Sequence, residues 1–194
     1  QSALTGISDV IKATQDSDRY GAQYIKNFAS TAVPFSGLMG SMVKMRDPYV
    51  RETWNAIDAM KSKLPGLSES LHPKIDFYGQ PVPVKDAVLG RGLSGIYMQK
   101  LQNDPVSKAM LALNIHPGPV DKKIRNYELS PEQYEMFARV AGRMTKMRLD
   151  VIVNSPDFQT RWPPEARKLA IDETIKGCRE VARAAVMAKW PNIP

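Results

Sequence analysis

One cysteine and two histidines in 194 residues leave this chain few of the usual catalytic and metal-binding groups. Cys178 alone closes no intramolecular disulfide, and no Cys-based zinc or iron–sulfur cluster can be assembled around it. His72 and His116 each stand beside a proline, in Leu71-His72-Pro73 and Ile115-His116-Pro117, and neither has a carboxylate at a metal-ligand spacing. A Cys–His nucleophile pair needs both groups within hydrogen-bond reach. Cys178 instead falls on the apolar stripe of a helix, where it reads as a buried, inert thiol. Long apolar runs are also scarce. Asn27 to Val43 is a 17-residue stretch without charge, but Pro34, Gly37, Gly40 and four hydroxyl residues interrupt it. Spanning a bilayer takes about 20 apolar residues, so this run reads as a small-residue amphipathic helix packed on a partner, with transient membrane association as the outside case.

What is present is ordinary globular material with a basic bias. Apolar residues make up 43% and charged residues 24%, which argues against a wholly disordered chain, a collagen-like repeat or a membrane bundle. Lys and Arg number 27 against 20 Asp and Glu, a net charge of +7. Fifteen prolines against twelve glycines point to helices separated by extended connections. The opening QSALTGISDV has neither the basic start nor the apolar core of a signal peptide, and the expectation is that Gln1 is internal to a longer polypeptide or a processed end.

Helix starts are marked by a short acceptor followed by proline, at Asp47-Pro48, Asp104-Pro105, Ser130-Pro131 and Ser155-Pro156. The acceptor can take a free N–H, and proline at the first helical position loses no bond. Ser130-Pro131-Glu132-Gln133 adds a capping-box pattern. Tyr134, Phe137, Ala138, Ala141, Met144, Thr145, Ile152 and Val153 then recur at helical spacing, which predicts a helix over 131–153 with Gly142 as a tolerated blemish. A second over 163–189 carries Ala170, Ile171, Ile175, Cys178, Ala182, Ala185 and Val186 inward. The short link makes the two antiparallel neighbours. Residues 48–62 read as a further helix with Val50, Trp54, Ile57 and Met60 inward, and 19–45 as one kinked helix or two.

Between 64 and 103 the regularity fails at Pro65, Pro73, Pro81 and Pro83. Ile75 to Val82 reads as a small hairpin or turn on an extended arm, and Lys123 to Leu129 as a short extended piece. An arm of that length calls for a neighbouring subunit or domain to lie against, with Phe77, Tyr78 and Val82 as its apolar contacts. The expected organisation is mainly α: N-terminal helices over 1–63, a Pro/Gly-rich arm over 64–103 and a C-terminal helical hairpin domain over 104–194.

Gly90-Arg91-Gly92-Leu93-Ser94-Gly95 spells a phosphate-loop pattern. A dinucleotide fold would place a buried strand before it and an acidic strand end about 20 residues on. Pro81 and Pro83 spoil the first, and Asp104 reads as a helix cap, so a flexible glycine turn is expected, with a phosphate-binding enzyme domain the weakest alternative. Adjacent carboxylates such as Asp172-Glu173 diverge on a helix and make poor acid–base partners. No catalytic residue, cofactor or metal site is therefore expected. The basic residues form two stripes, Arg139, Arg143 and Lys146 on one helix and Lys176, Arg179 and Arg183 on the other. They suit DNA phosphate or an acidic protein partner, although Glu135, Asp150, Asp172 and Glu180 are interspersed.

Three stretches are similar to a known class of sequence. Asp47-Pro48-Tyr49-Val50-Arg51-Glu52-Thr53 leading into Ile57-Asp58-Ala59-Met60-Lys61 and Leu64-Pro65-Gly66-Leu67-Ser68, then Asp76-Phe77-Tyr78-Gly79-Gln80-Pro81-Val82, resembles a C-terminal region of large tailed-phage internal virion or polyvalent proteins. Leu129-Ser130-Pro131-Glu132-Gln133-Tyr134, the following helix, Ser155-Pro156-Asp157-Phe158 and the Ala/Arg-rich last helix resemble its continuation. The resemblance implies a helical assembly module of a protein packed in the capsid or at the portal vertex and delivered into the host with the DNA. It implies portal protein or further copies of the same protein as partners, and an oligomeric state. Packaged DNA is a further possible partner. The phrases are structural and transfer no active-site residue. A helical DNA-binding domain is the alternative.

Overall fold

The computed structural model describes residues 47–63, 66–84 and 104–193. The helices expected over 19–45, the uncharged run and the Gly90–Gly95 turn lie outside them. The chain divides into two compact units, one of Gln1–Asp47 with Thr53–Leu71, the other of Pro48–Glu52 with His72–Pro194. Of the described part of the arm, residues 66–71 thus belong to the first unit, and 72–84 to the same unit as the C-terminal helices.

In the first unit α1 (Ala56–Lys61) starts at Asn55, whose side chain accepts from the Asp58 N–H at 2.8 Å. The Asp58 carboxylate accepts in turn from the Trp54 N–H at 3.1 Å. Ser68–Ser70 forms a single 3₁₀ turn. The helix expected over 48–62 is therefore much shorter and begins at Ala56, not at Pro48. The reason lies in the backbone of Pro48–Glu52, whose groups bond to extended chain in the second unit. Val50 N–H donates to Val82 O at 2.8 Å, Lys74 N–H donates to Val50 O at 2.7 Å, and Glu52 N–H donates to His72 O at 2.9 Å. Groups paired in that way cannot also close helical turns.

The second unit is mainly helical. It holds α2 (Pro105–Ala112), a two-stranded antiparallel hairpin of β1 (Lys123–Ile124) and β2 (Tyr127–Glu128), α3 (Pro131–Val153) and α4 (Pro164–Lys189). Asp104 caps α2, and Ser130 with Gln133 forms the expected capping box on α3. Ser155-Pro156 opens one wide π-helical turn, Asp157–Arg161, before α4 begins. The Lys189 ammonium, at the end of α4, lies 3.8 Å from Glu132 at the start of α3, so the two helices run antiparallel along their whole length. Between them and α2 sits a core of Val106, Met110, Ile115, Leu149, Val153, Phe158, Ile171 and Ile175. Cys178 is fully buried in the same seam.

Candidate functional site

Polar side chains converge where residues 72–84 cross α3. This strap turns at Asp76–Gln80, where the Asp76 carboxylate accepts from the N–H groups of Tyr78 (2.9 Å) and Gln80 (2.8 Å). The turn needs Gly79, at φ +74°, and it is seated directly on the helix. A Cβ on Gly142 would lie 2.1 Å from the Gly79 nitrogen, and one on Gly79 would lie 2.5 Å from the Arg139 carbonyl oxygen. Backbone meets backbone there because neither residue has a side chain.

That seating carries the Tyr78 ring to the N-terminus of α2. Its hydroxyl lies 2.5 Å from Ser107 Oγ and donates to Asp104 Oδ2 at 3.3 Å. Asp104 Oδ2 also accepts from the Ser107 N–H and hydroxyl, both at 2.8 Å, while its other oxygen meets the Lys146 ammonium at 2.7 Å. Lys146 is bonded to Asp150 as well, and stands 5.6 Å from the Tyr78 ring centre. Burial pushes the Asp104 carboxyl up, but bonds from Lys146 and Ser107 outweigh it and hold it below the ordinary range. Burial lowers Lys146 less than its two carboxylates raise it. Burial raises the Tyr78 phenol strongly. Each group is thus held in the protonation state its neighbours require. Lys146 as a general base would have to leave two carboxylates unpaired, and the hydroxyl of Ser107, which is 1% exposed, has no open path to a substrate.

A second bond set fastens the start of the strap. His72 Nδ1 lies 2.5 Å from Glu135 Oε2, and Arg139 Nε donates to Glu135 Oε1 at 2.7 Å. Burial raises the Glu135 carboxyl, yet the bonds from His72 and Arg139 hold it below its usual range. Between strap, α3 and α4 lies a cavity of about 20 Å³, lined among others by Ile75, Gly118, Gly142, Thr145 and Arg179. That is room for one water.

The residues expected to meet partners are placed as follows. Val82 is 1% exposed and covered by its own chain, as is much of Phe77 and Tyr78. The expectation was a neighbouring subunit or domain, and residues 72–84 lie against α3 within their own unit. Of the α3 cations, Arg139 and Lys146 are paired on the strap side and Arg143 is exposed. On α4, Lys176 pairs with Glu173 at 3.0 Å, Arg183 with Glu180 at 2.6 Å, and Arg179 donates to Gly118 O at 2.5 Å. The two stripes are therefore largely tied to their own chain. His116 Nε2 lies 2.9 Å from Asn114 Oδ1, away from His72. Sequence reading missed Ser107, Asp150 and Glu135 as strap anchors, and Gly142 as the landing site. The signal available was the pairing of a glycine inside a helix with a second glycine in an Asp-initiated turn. Among the described residues no group of His, Cys, Asp and Glu could hold a metal ion, and no helix is long and apolar enough to cross a membrane. No protein-family model, curated protein or solved structure matches the chain.

Proposed function

We propose that this chain is a helical docking module of a large tailed-phage internal virion protein, one packed with the genome and delivered with it, which works by association with other virion components and has no turnover of its own. Support for the phage setting comes from the sequence phrases around Asp47–Ser68, Asp76–Val82 and Leu129–Phe158. The observation that carries the docking part is the outer side of the hairpin, where Met147 is 70% and Val151 74% exposed on a long, rigid helix. On this reading the docking face is the hairpin and not the strap. Comparing peptides from filled particles with those from particles emptied of DNA tests the reading. The expected outcome is that this chain is present in the first and depleted in the second, and equal recovery from both would overturn delivery.

A helical DNA-binding domain is the second reading, favoured by the net charge of +7 and by the exposed Arg143 and Arg148. Titration with duplex DNA at several salt concentrations separates the two, since phosphate binding weakens steeply as salt rises.

A further inference from the structure

The two sides of the α3/α4 hairpin are used differently. At about 100° per residue, the α3 residues that face the strap, Gly142 and Lys146, stand opposite a stripe of Val140, Met144, Met147 and Val151. The stripe's spacing of four, three and four residues is that of a coiled-coil seam. On α4 the side away from Arg179 and Gly118 carries Ala170, Gly177 and Ala184 at seven-residue intervals, with Val181 between them 45% exposed. By the same rotation both stripes lie on the side of the hairpin away from the strap, on either hand of the shallow groove that two packed helices leave between them, and a Cβ on Gly177 would meet nothing within 4 Å.

The cations sort in the same manner. Arg139 and Lys146, on the strap side of α3, are paired with carboxylates of their own chain. Arg143 and Arg148 flank the apolar stripe, one on each edge, and both are exposed without an ion partner among the described residues. On the α4 wall Glu173 and Glu180 are already compensated by Lys176 and Arg183. The α3 side of the groove is thus an apolar stripe with one positive charge on its outer edge, Arg143, and one on its α4 edge, Arg148.

We infer that this groove is a docking site for an amphipathic helix of a partner protein, one that presents an apolar face at coiled-coil spacing flanked by Asp or Glu. The apolar face would cover Met147, Val151 and Val181, and the flanking carboxylates would meet Arg143 and Arg148. A second copy of this chain fits less well, because two-fold pairing would bring like-charged surfaces of a +7 protein together. Duplex DNA fits less well too, since phosphate gains nothing from exposed Met and Val.

The inference rests on the docking reading but not on the phage setting, so its test uses the isolated chain. Two labelled three-heptad helical peptides with the same Leu/Ala face, one flanked by Glu and the other by Lys, are titrated with the protein and read by fluorescence anisotropy. The Glu-flanked peptide should bind at least about tenfold more tightly, and Met147→Glu should abolish the binding. Reversing both arginines, Arg143→Glu with Arg148→Glu, should turn the preference to the Lys-flanked peptide. These positions are exposed, so melting curves should confirm that the variants fold. Equal binding of both peptides, or none, would overturn the inference. So would a concentration-dependent dimer in sedimentation that Met147→Glu removes, which would assign the groove to a second copy. A failure here leaves the particle experiment unaffected, and the reverse holds as well.

Discussion

Gly142 on α3 and Gly177 on α4 sit in helices of one hairpin, yet they mark opposite kinds of surface. A Cβ on Gly142 would fall 2.1 Å from the Gly79 nitrogen, whereas one on Gly177 would meet nothing within 4 Å. The strap side is finished surface: backbone on backbone, a phenol, a serine and two carboxylates each bonded, cations neutralised within the chain. Across the hairpin, the side chains are apolar and the arginines unpaired. Glycine is a poor helix former at both positions by the same margin, so only its surroundings tell structural necessity from open space. The contrast teaches that the hairpin uses polar groups to hold one segment of its own chain, and leaves Met147, Val151 and Val181 outside its buried core on the other side.

The heaviest blow to that contrast is Gly142→Ala. The added methyl has backbone, not a flexible side-chain tip, in its way, so the strap turn must lift off α3 and its bonds to Asp104 and Ser107 go with it. A loss of about 3 kcal/mol in urea unfolding is expected. Gly79→Ala should cost a similar amount, since it adds strain at φ +74° to a 2.5 Å approach to Arg139 O. Wild-type stability in either variant would mean that the strap is not seated where the structure puts it.

Next in size is Tyr78→Phe. The ring remains, with its 5.2 Å edge contact to Phe77, but Ser107 Oγ loses a buried partner, and a cost of about 1–2 kcal/mol follows. Loss well below that range would show that the hydroxyl bonds are incidental to the strap. Lys146→Met removes the cation between Asp104 and Asp150, so its cost should be largest at neutral pH, where both carboxylates are charged, and should shrink as acid protonates them.

Much of this was readable from sequence, and the division follows a physical line. α3 matched its expected bounds because cap, proline and apolar period all agree within the segment itself. α4 did so within one residue at its start, and the buried stripe through Ile171, Ile175, Cys178, Ala182 and Val186 follows the period alone. Pro48–Glu52 was misread as helix because its Asp-Pro start is a local signal, whereas its actual partners, Lys74, His72 and Val82, are distant in sequence. Phe77 and Tyr78 were read as contacts to a neighbouring subunit or domain and pack against the core of their own unit; periodicity carries no information on which neighbour a residue meets. Gly142 was discounted on helix propensity, which is blind to the approach of a second backbone. The open groove was half visible: the basic residues were noted by helix and not by which edge of the hairpin they occupy.

The pH dependence should also separate the two sides. Asp104 and Glu135 have folded values below their ordinary 3.8 and 4.5, so the stability they add is complete above those values and lost as pH falls through the lower folded ones. Tyr78 and Lys146 are raised above 10.0 and 10.5, so their contribution is complete below those values and lost as pH climbs past them. Melting temperature plotted against pH should therefore be flat from about 5 to about 10 and fall at both ends. Tyr78→Phe should soften the alkaline fall, and Asp104→Asn the acid one. Met147→Glu, on the open side, should leave the alkaline limb unchanged. A single curve shared by all three variants would refute the assignment of these groups to the strap.

The smallest effect is the one of opposite sign. Gly177→Ala fills open space on α4, adds no clash and reduces the backbone freedom that glycine retains in the unfolded chain, so the isolated protein should gain about 0.5–1 kcal/mol. The same methyl narrows the small-residue wall of the groove, where close approach of a docked helix depends on its absence. Stability and docking should therefore move in opposite directions: a higher melting temperature for the protein alone, with weaker binding of the Glu-flanked peptide. On the strap side no such separation is possible, because there the neighbour is part of the fold and a methyl at Gly142 harms both together. Should Gly177→Ala raise stability and leave peptide binding untouched, the α4 wall would have no part in docking, and the groove would reduce to the Met/Val stripe of α3 with its two arginines.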